Sequence, residues 1–116
     1  MTANFVKEAS VSDMQTSKLA GDLFAQIYDG SKTSTIRLGH RQLENGDLTF
    51  ISSDGVVQTC TVNVVDVYYK TWAELSEKEA HSNACKNVEE LYALLRRFYP
   101  DVKDQDLMTI VVFKRQ

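Results

Sequence analysis

Hydrophobic positions along the chain follow a helical spacing near the start and in the last third, and a strand spacing between. Leu19, Leu23 and Ile27 recur every four positions with Ala20 and Phe24 beside them, which predicts a helix over 17–29, closed by Gly30 where a left-handed cap would stand. The β-branched Thr33, Thr35 and Ile36 predict a strand from Lys32 to Leu38, and the turn dipeptides Asn45-Gly46 and Asp54-Gly55 bracket a second over 47–53. Cys60, Val62 and Val64 then hold one parity of a strand while Val65, Val67 and Tyr69 hold the other. Since side chains alternate faces, that change predicts a bulge, as in a small bent barrel. Thr71-Trp72-Ala73-Glu74 is a capping box opening a short helix, and Asn87-Val88-Glu89-Glu90 repeats the logic with asparagine as cap. Val88, Leu91, Leu95 and Phe98 form one stripe of the helix that follows, which Pro100 should end by Tyr99, and a last strand runs from Leu107 to Phe113. The order of helix, strands, two helices and strand predicts an α+β fold, with residues 1–16 loosely ordered and 17–116 forming a single domain.

Composition changes this picture little. At 116 residues, with 43% hydrophobic and 25% charged positions, the chain can bury one core and resembles neither a disordered segment nor a coiled coil. The longest apolar stretch, Val62 to Tyr69, is broken by Asn63 and Asp66 and is too short to cross a bilayer, and no signal pattern opens the chain, so no membrane partner and a cytoplasmic location are expected. Cys60 and Cys85 lie without CxxC or Cys/His spacing, which gives no support to a metal site, a disulfide framework or a cofactor. The number of subunits is not encoded in any pattern of the sequence. A net charge of −3 excludes a surface that binds polyanions all over, so any basic site must be local.

One such segment exists. Ser31 to Arg41, SKTSTIRLGHR, holds Lys32, Arg37, His40 and Arg41 and no acidic residue. Extended, it puts Lys32, Ser34 and Ile36 on one face and Thr33, Thr35 and Arg37 on the other, with Lys32, just after Gly30, expected at the mouth of a cleft. An ammonium, several hydroxyls and a guanidinium suit an anionic or carbonyl-bearing ligand, because arginine grips planar oxygens bidentately and a lysine's pKa falls when it is desolvated. The competing reading is a solvated strand end. Elsewhere, His40 and His81 are each a proton-transfer candidate or a solvated side chain. Tyr28, Tyr68, Tyr69 and Trp72 offer a stacking platform or plain packing, with Tyr68 and Tyr69 on opposite faces. Arg96-Arg97 and Lys114-Arg115 extend a phosphate track or merely sit at the ends of their elements. Cys60 reads as a small hydrophobe and Cys85 as an exposed thiol.

The run Ile27 to Arg37, IYDGSKTSTIR, with Gly46-Asp47 before a strand, resembles the signature of the ASCH family, and Leu75 to Ala80 and Phe98-Tyr99-Pro100 extend the resemblance over most of the chain from Leu19 onward. The resemblance implies a PUA-like small mixed β-barrel with flanking helices. It implies a ligand cleft beside the signature, with Tyr28, Ser31, Lys32, Thr33 and Arg37 as binding residues, and RNA or a modified pyrimidine nucleoside as partner. Among small stand-alone members, the N4-acetylcytidine amidohydrolases are most similar. Their catalytic lysine and threonine fall on Lys32 and Thr35, and their glutamate on Asn83. The implied mechanism has Lys32 as the base that activates the Thr35 hydroxyl and a carboxylic acid that protonates the departing amine. Asn83 cannot donate that proton at neutral pH, which leaves Glu77, Glu79 and His81 as candidates for the acid. Two functions stand open: a binding module for RNA or a nucleoside, and an amidohydrolase. A ribonuclease is a third, credited to some family members, though no residue here singles it out.

Overall fold

The computed structural model describes residues 15–55 and 57–116. In chain order the elements are β1 (Gln15–Leu19), a 3₁₀ turn (Gly21–Leu23), α1 (Phe24–Tyr28), β2 (Ser34–Leu38), β3 (Gly46–Ser52), β4 (Thr59–Thr71), a second 3₁₀ turn (Trp72–Glu74), α2 (Glu77–Ser82), α3 (Val88–Arg96) and β5 (Leu107–Arg115). The five strands form one sheet in the order β1-β3-β4-β5-β2, curled into a half-barrel; β1 pairs with β3 in parallel and every other pair is antiparallel. This is an α+β fold.

The helix expected over 17–29 is corrected at its start. Ser17 to Leu19 belong to β1, as do Gln15 and Thr16 from the segment expected to be loose; residues 1–14 lie outside the described part. Leu19 is buried either way, but the stretch, in which half-buried and exposed positions alternate, finds β3 as a pairing edge, a non-local gain that a four-residue repeat does not reveal. Helical geometry begins only at Gly21.

The parity change in β4 is a bulge, with the register against β5 shifting between Val64 and Asp66. It keeps one face of β4 on the same core, since Val67, beyond the bulge, packs with Val62 and Val64, and the opposite face turns Tyr68 to a second core. Val62 and Val64 join Leu19, Phe24, Ile27 and Phe50 on the α1 side, while Tyr68 packs with Trp72, Leu91 and Leu95 on the side of α2 and α3. β5 is buried on both faces: Val111 and Phe113 belong to the first core, Met108 and Ile110 to the second. Trp72 lies in the second core, and Cys60 packs against the first, as small hydrophobes do.

Two caps hold the second layer. Asn87 opens α3 by accepting from the Glu90 N–H at 2.9 Å, and the Glu74 carboxylate accepts from the Thr71 N–H at 2.8 Å. A further box that the sequence reading missed, Ser76 with Glu79, opens α2. Gly30, which ends α1, has φ of +85° and empty space where a Cβ would stand. Gly30→Ala is therefore expected to lose about 1 kcal/mol through backbone strain alone, with no change in fold, measured as a lower urea midpoint at constant m-value.

Candidate functional site

Gly30 turns the chain out of α1 so that the Lys32 N–H bonds back to the Gln26 carbonyl at 2.9 Å and Lys32 bridges to Asn83 as an isolated β-pair. The side chain follows its backbone. Lys32 donates to Asn83 Oδ1 at 2.7 Å, and Asn83 donates in turn to Ser34 Oγ at 2.8 Å and to the Glu79 carbonyl at 2.9 Å. Ser34 Oγ and Ser82 Oγ complete the cluster at 2.6 Å. Lys32 is 3% exposed, so the expectation that it stands at a cleft mouth is corrected: the β-bridge to Asn83 pulls it inward. Burial, with the Arg37 guanidinium adding to it and the Cys85 thiol opposing, brings the Lys32 pKa down to about 7. A large share of these amines is neutral at physiological pH and carries a free lone pair.

Thr35 is buried on the opposite face of β2 from Ser34, paired with Val111 of β5. Among the described residues no carboxylate pairs with Lys32 or hydrogen-bonds to Thr35. Glu79 is fully buried but fully engaged: it accepts from Tyr68 Oη at 2.7 Å, Lys70 Nζ at 3.0 Å, and Ser76 N and Oγ at 2.8 Å each. Burial pushes its carboxyl up, yet the bonds from Tyr68, Ser76 and Lys70 outweigh that and hold it down to about 2, so it has no proton to give near neutrality. Glu77 is exposed, and so is His81, whose Nε2 faces the Lys86 carbonyl at 3.2 Å.

The other expected ligand contacts scatter. Ser31 is exposed and donates to Asp29 Oδ1 at 2.6 Å; Thr33 is exposed, with its backbone spent on Ser82 and Phe113. Tyr28 reaches the Thr59 carbonyl, away from Asn83. Tyr69 stacks on His40 with ring centroids 4.6 Å apart, while Tyr68 turns to Glu79, so the two tyrosines do face opposite ways. Arg96 lies over the Trp72 ring and Arg97 pairs with Asp22, which ties these cations to structure.

Two cavities flank α1. One of about 340 Å³ lies between α1 and α3 and is lined by Gln26, Asn83, Cys85, Glu90 and Arg97 among others. Asn83, itself 2% exposed, forms part of its wall. Cys85, expected to be exposed, is buried, because Ala84 at φ of +61° reverses the chain after α2 and returns the Cys85 N–H to the Ala80 carbonyl. Gln26 Oε1 is buried there without a hydrogen-bond partner among the described residues. The other cavity, about 500 Å³, opens at the seam between β1 and β2 and receives Arg37. Neither Gln26 nor Cys85 carried a sequence signal for the site; only a polar residue on the inner face of α1, six positions before Lys32, hints at the former.

In three dimensions this architecture matches known ones. The ASCH domain from Lactobacillus crispatus JV V101 superposes with a TM-score of 0.71 at 15% identity, over 88% of this chain and 79% of that one. Protein EF3133 from Enterococcus faecalis V583, of the DUF984 group, gives 0.70 at 17% identity, over 98% and 84%. A point mutant of ZmASCH from Zymomonas mobilis gives 0.63 at 12%, over 88% and 69%. No family model and no curated protein matches the sequence itself. The chain thus has the ASCH-domain fold, and the resemblance first seen in residues 27–37 is matched by the architecture that those residues organise. No helix among the described residues is long and apolar enough to cross a membrane.

Proposed function

We propose that this chain is an ASCH-domain binding module that takes a pyrimidine nucleoside, free or within RNA, at the Lys32–Asn83 pair, entering between α1 and α3. The observation that carries the reading is the 2.7 Å bond between a buried amine and an amide where a hydrolase of the resembling kind would hold a carboxylic acid. A near-neutral amine and an amide are donors and acceptors without net charge, the chemistry that reads the edge of a base. Among the described residues Glu79 is locked in its own network and His81 is turned outward, so neither stands ready to protonate the departing amine of an acyl-cytidine.

A second reading, the amidohydrolase, is favoured by one feature: the Lys32 pKa of about 7 is that of a competent base, although Thr35, on the face of β2 opposite Ser34, makes no hydrogen bond to it among the described residues. One experiment separates the two. Titration with N4-acetylcytidine is expected to show saturable binding and no release of cytidine, with Lys32→Ala weakening binding about tenfold or more. Cytidine released by the parent protein would favour the enzyme, and cytidine released only by Asn83→Glu would mark Asn83 as the missing acid. Unchanged affinity in Lys32→Ala, for the nucleoside and for single-stranded RNA, would refute the binding reading.

A further inference from the structure

The seam cavity has a chemistry the nucleoside site lacks. β1 and β2 are the two edge strands of the sheet among the described residues, and Arg37 spans the gap between them, donating from Nε to Ser17 Oγ at 3.1 Å and from Nη2 to the Lys18 carbonyl at 2.7 Å. Those bonds fix the guanidinium before any ligand arrives. Arg41 lines the same cavity, anchored by its Nε on the Leu38 carbonyl at 3.1 Å and by its own N–H on Thr109 Oγ1 at 2.9 Å. Its terminal nitrogens and the Lys18 ammonium have no hydrogen-bond partner among the described residues. Three cationic residues thus line a cavity of about 500 Å³ that no acidic residue lines, in a chain of net charge −3. Phe98 and Tyr99 close one side, their rings edge to face with centroids 6.5 Å apart, and Phe98 is 41% exposed.

Arg37 is half-buried, Lys18 and Arg41 are exposed, and like charges gathered around one hollow without an acidic residue leave it a positive field that a bound anion neutralises. Arginine forks match tetrahedral phosphate oxygens, and an exposed aromatic face beside them accepts a planar ring. We infer that the β1–β2 seam is a phosphate site, with Arg37, Arg41 and Lys18 holding the phosphate and Phe98 or Tyr99 covering the group that carries it. The phosphate belongs either to a free nucleotide or to the backbone of an oligonucleotide. The inference goes beyond the reading above: the seam opens into a different cavity from the one beside Asn83, and the phosphate site stands independently of the nucleoside site.

The test uses the full chain at low salt with four probes: inorganic phosphate, cytidine, cytidine 5′-monophosphate and the dinucleotide cytidylyl-cytidine. The monophosphate is expected to bind about tenfold tighter than cytidine, with the advantage shrinking as salt rises. Arg41→Gln and Lys18→Gln, both surface changes, should each reduce that advantage about threefold or more while cytidine affinity stays as it was. An equal advantage for the dinucleotide would identify a backbone phosphodiester as the source, and its absence a free nucleotide. Equal affinities for cytidine and both phosphorylated probes, or an advantage that survives the Lys18→Gln/Arg41→Gln double variant, would overturn the inference. Lys32→Met separates the two readings: if it leaves cytidine binding intact while inorganic phosphate still raises Tm in an Arg41-dependent way, the nucleoside proposal fails and the seam site remains.

Discussion

Replacing Lys32 with methionine is expected to erase a rise in stability of about 2 kcal/mol that the parent protein should show between pH 7 and pH 9. The sign follows from the direction of the shift. The folded Lys32 titrates at about 7 and the unfolded one near 10.5, so between those values the unfolded chain binds more protons and unfolding is penalised increasingly as pH rises. Below pH 7 both states are protonated, and the whole desolvation penalty of the buried ammonium weighs on the native state. Urea titrations at pH 6, 7, 8 and 9 would trace the slope directly. Methionine keeps the stem and removes the titration, leaving Asn83 Oδ1 short of its donor at a cost of about 1–3 kcal/mol. The variant should therefore be less stable than the parent at pH 9, close to it at pH 6, and unable to hold the nucleoside at either. A parent protein whose stability is flat from pH 7 to 9 would mean that Lys32 is solvated, and the site as described would not exist.

Glu79→Ala should be the most damaging single change among the polar residues, by about 3–5 kcal/mol, because it strips four donors of one buried acceptor. For a domain whose total stability is on the order of 5–15 kcal/mol, that approaches unfolding at ambient temperature. The acid limb reports on the same group. With a folded pKa of about 2 against 4.5 unfolded, Glu79 contributes its full stabilisation above pH 4.5 and loses it as pH falls toward 2, about 3 kcal/mol in all. The variant should lack that part of the acid transition. It should also blunt the alkaline rise assigned to Lys32, since α2 carries both the Glu79 carbonyl that orients Asn83 and Asn83 itself. Acid titrations of parent and variant that run parallel from pH 5 to 2 would show that the network does not hold in solution.

The role of Glu79 also shows what local pattern conceals. In sequence it is one of three candidate acids, within six residues of Asn83, and only its place three positions after Ser76, the spacing of a capping box, distinguishes it from Glu77. What separates them is a tyrosine and a lysine arriving from β4, whose register is offset by the bulge after Val64. The bulge itself could be foreseen from the parity of Val64 and Val65, but the partners it delivers could not. Cys85 is similar. Its place before a capped helix suggested exposure, and a single backbone reversal at Ala84 turned it inward.

Local chemistry by itself determined most of the secondary structure after Gly30: β-branched runs made β2 and β4, turn dipeptides bounded β3, and Asn87 with Pro100 framed α3, because each depends on interactions within a few residues. The signature from Ile27 to Arg37 likewise marked where Lys32, Thr35 and Arg37 would stand along the chain. Only the tertiary structure decided that Gln15 to Leu19 form a strand, that Lys32 meets Asn83 across 51 positions, and that Arg37 spans an open seam to β1. The physical reason is common to all three. A parallel pairing, a desolvated amine and an edge-to-edge bridge draw their free energy from segments far apart in sequence, which no local spacing can record.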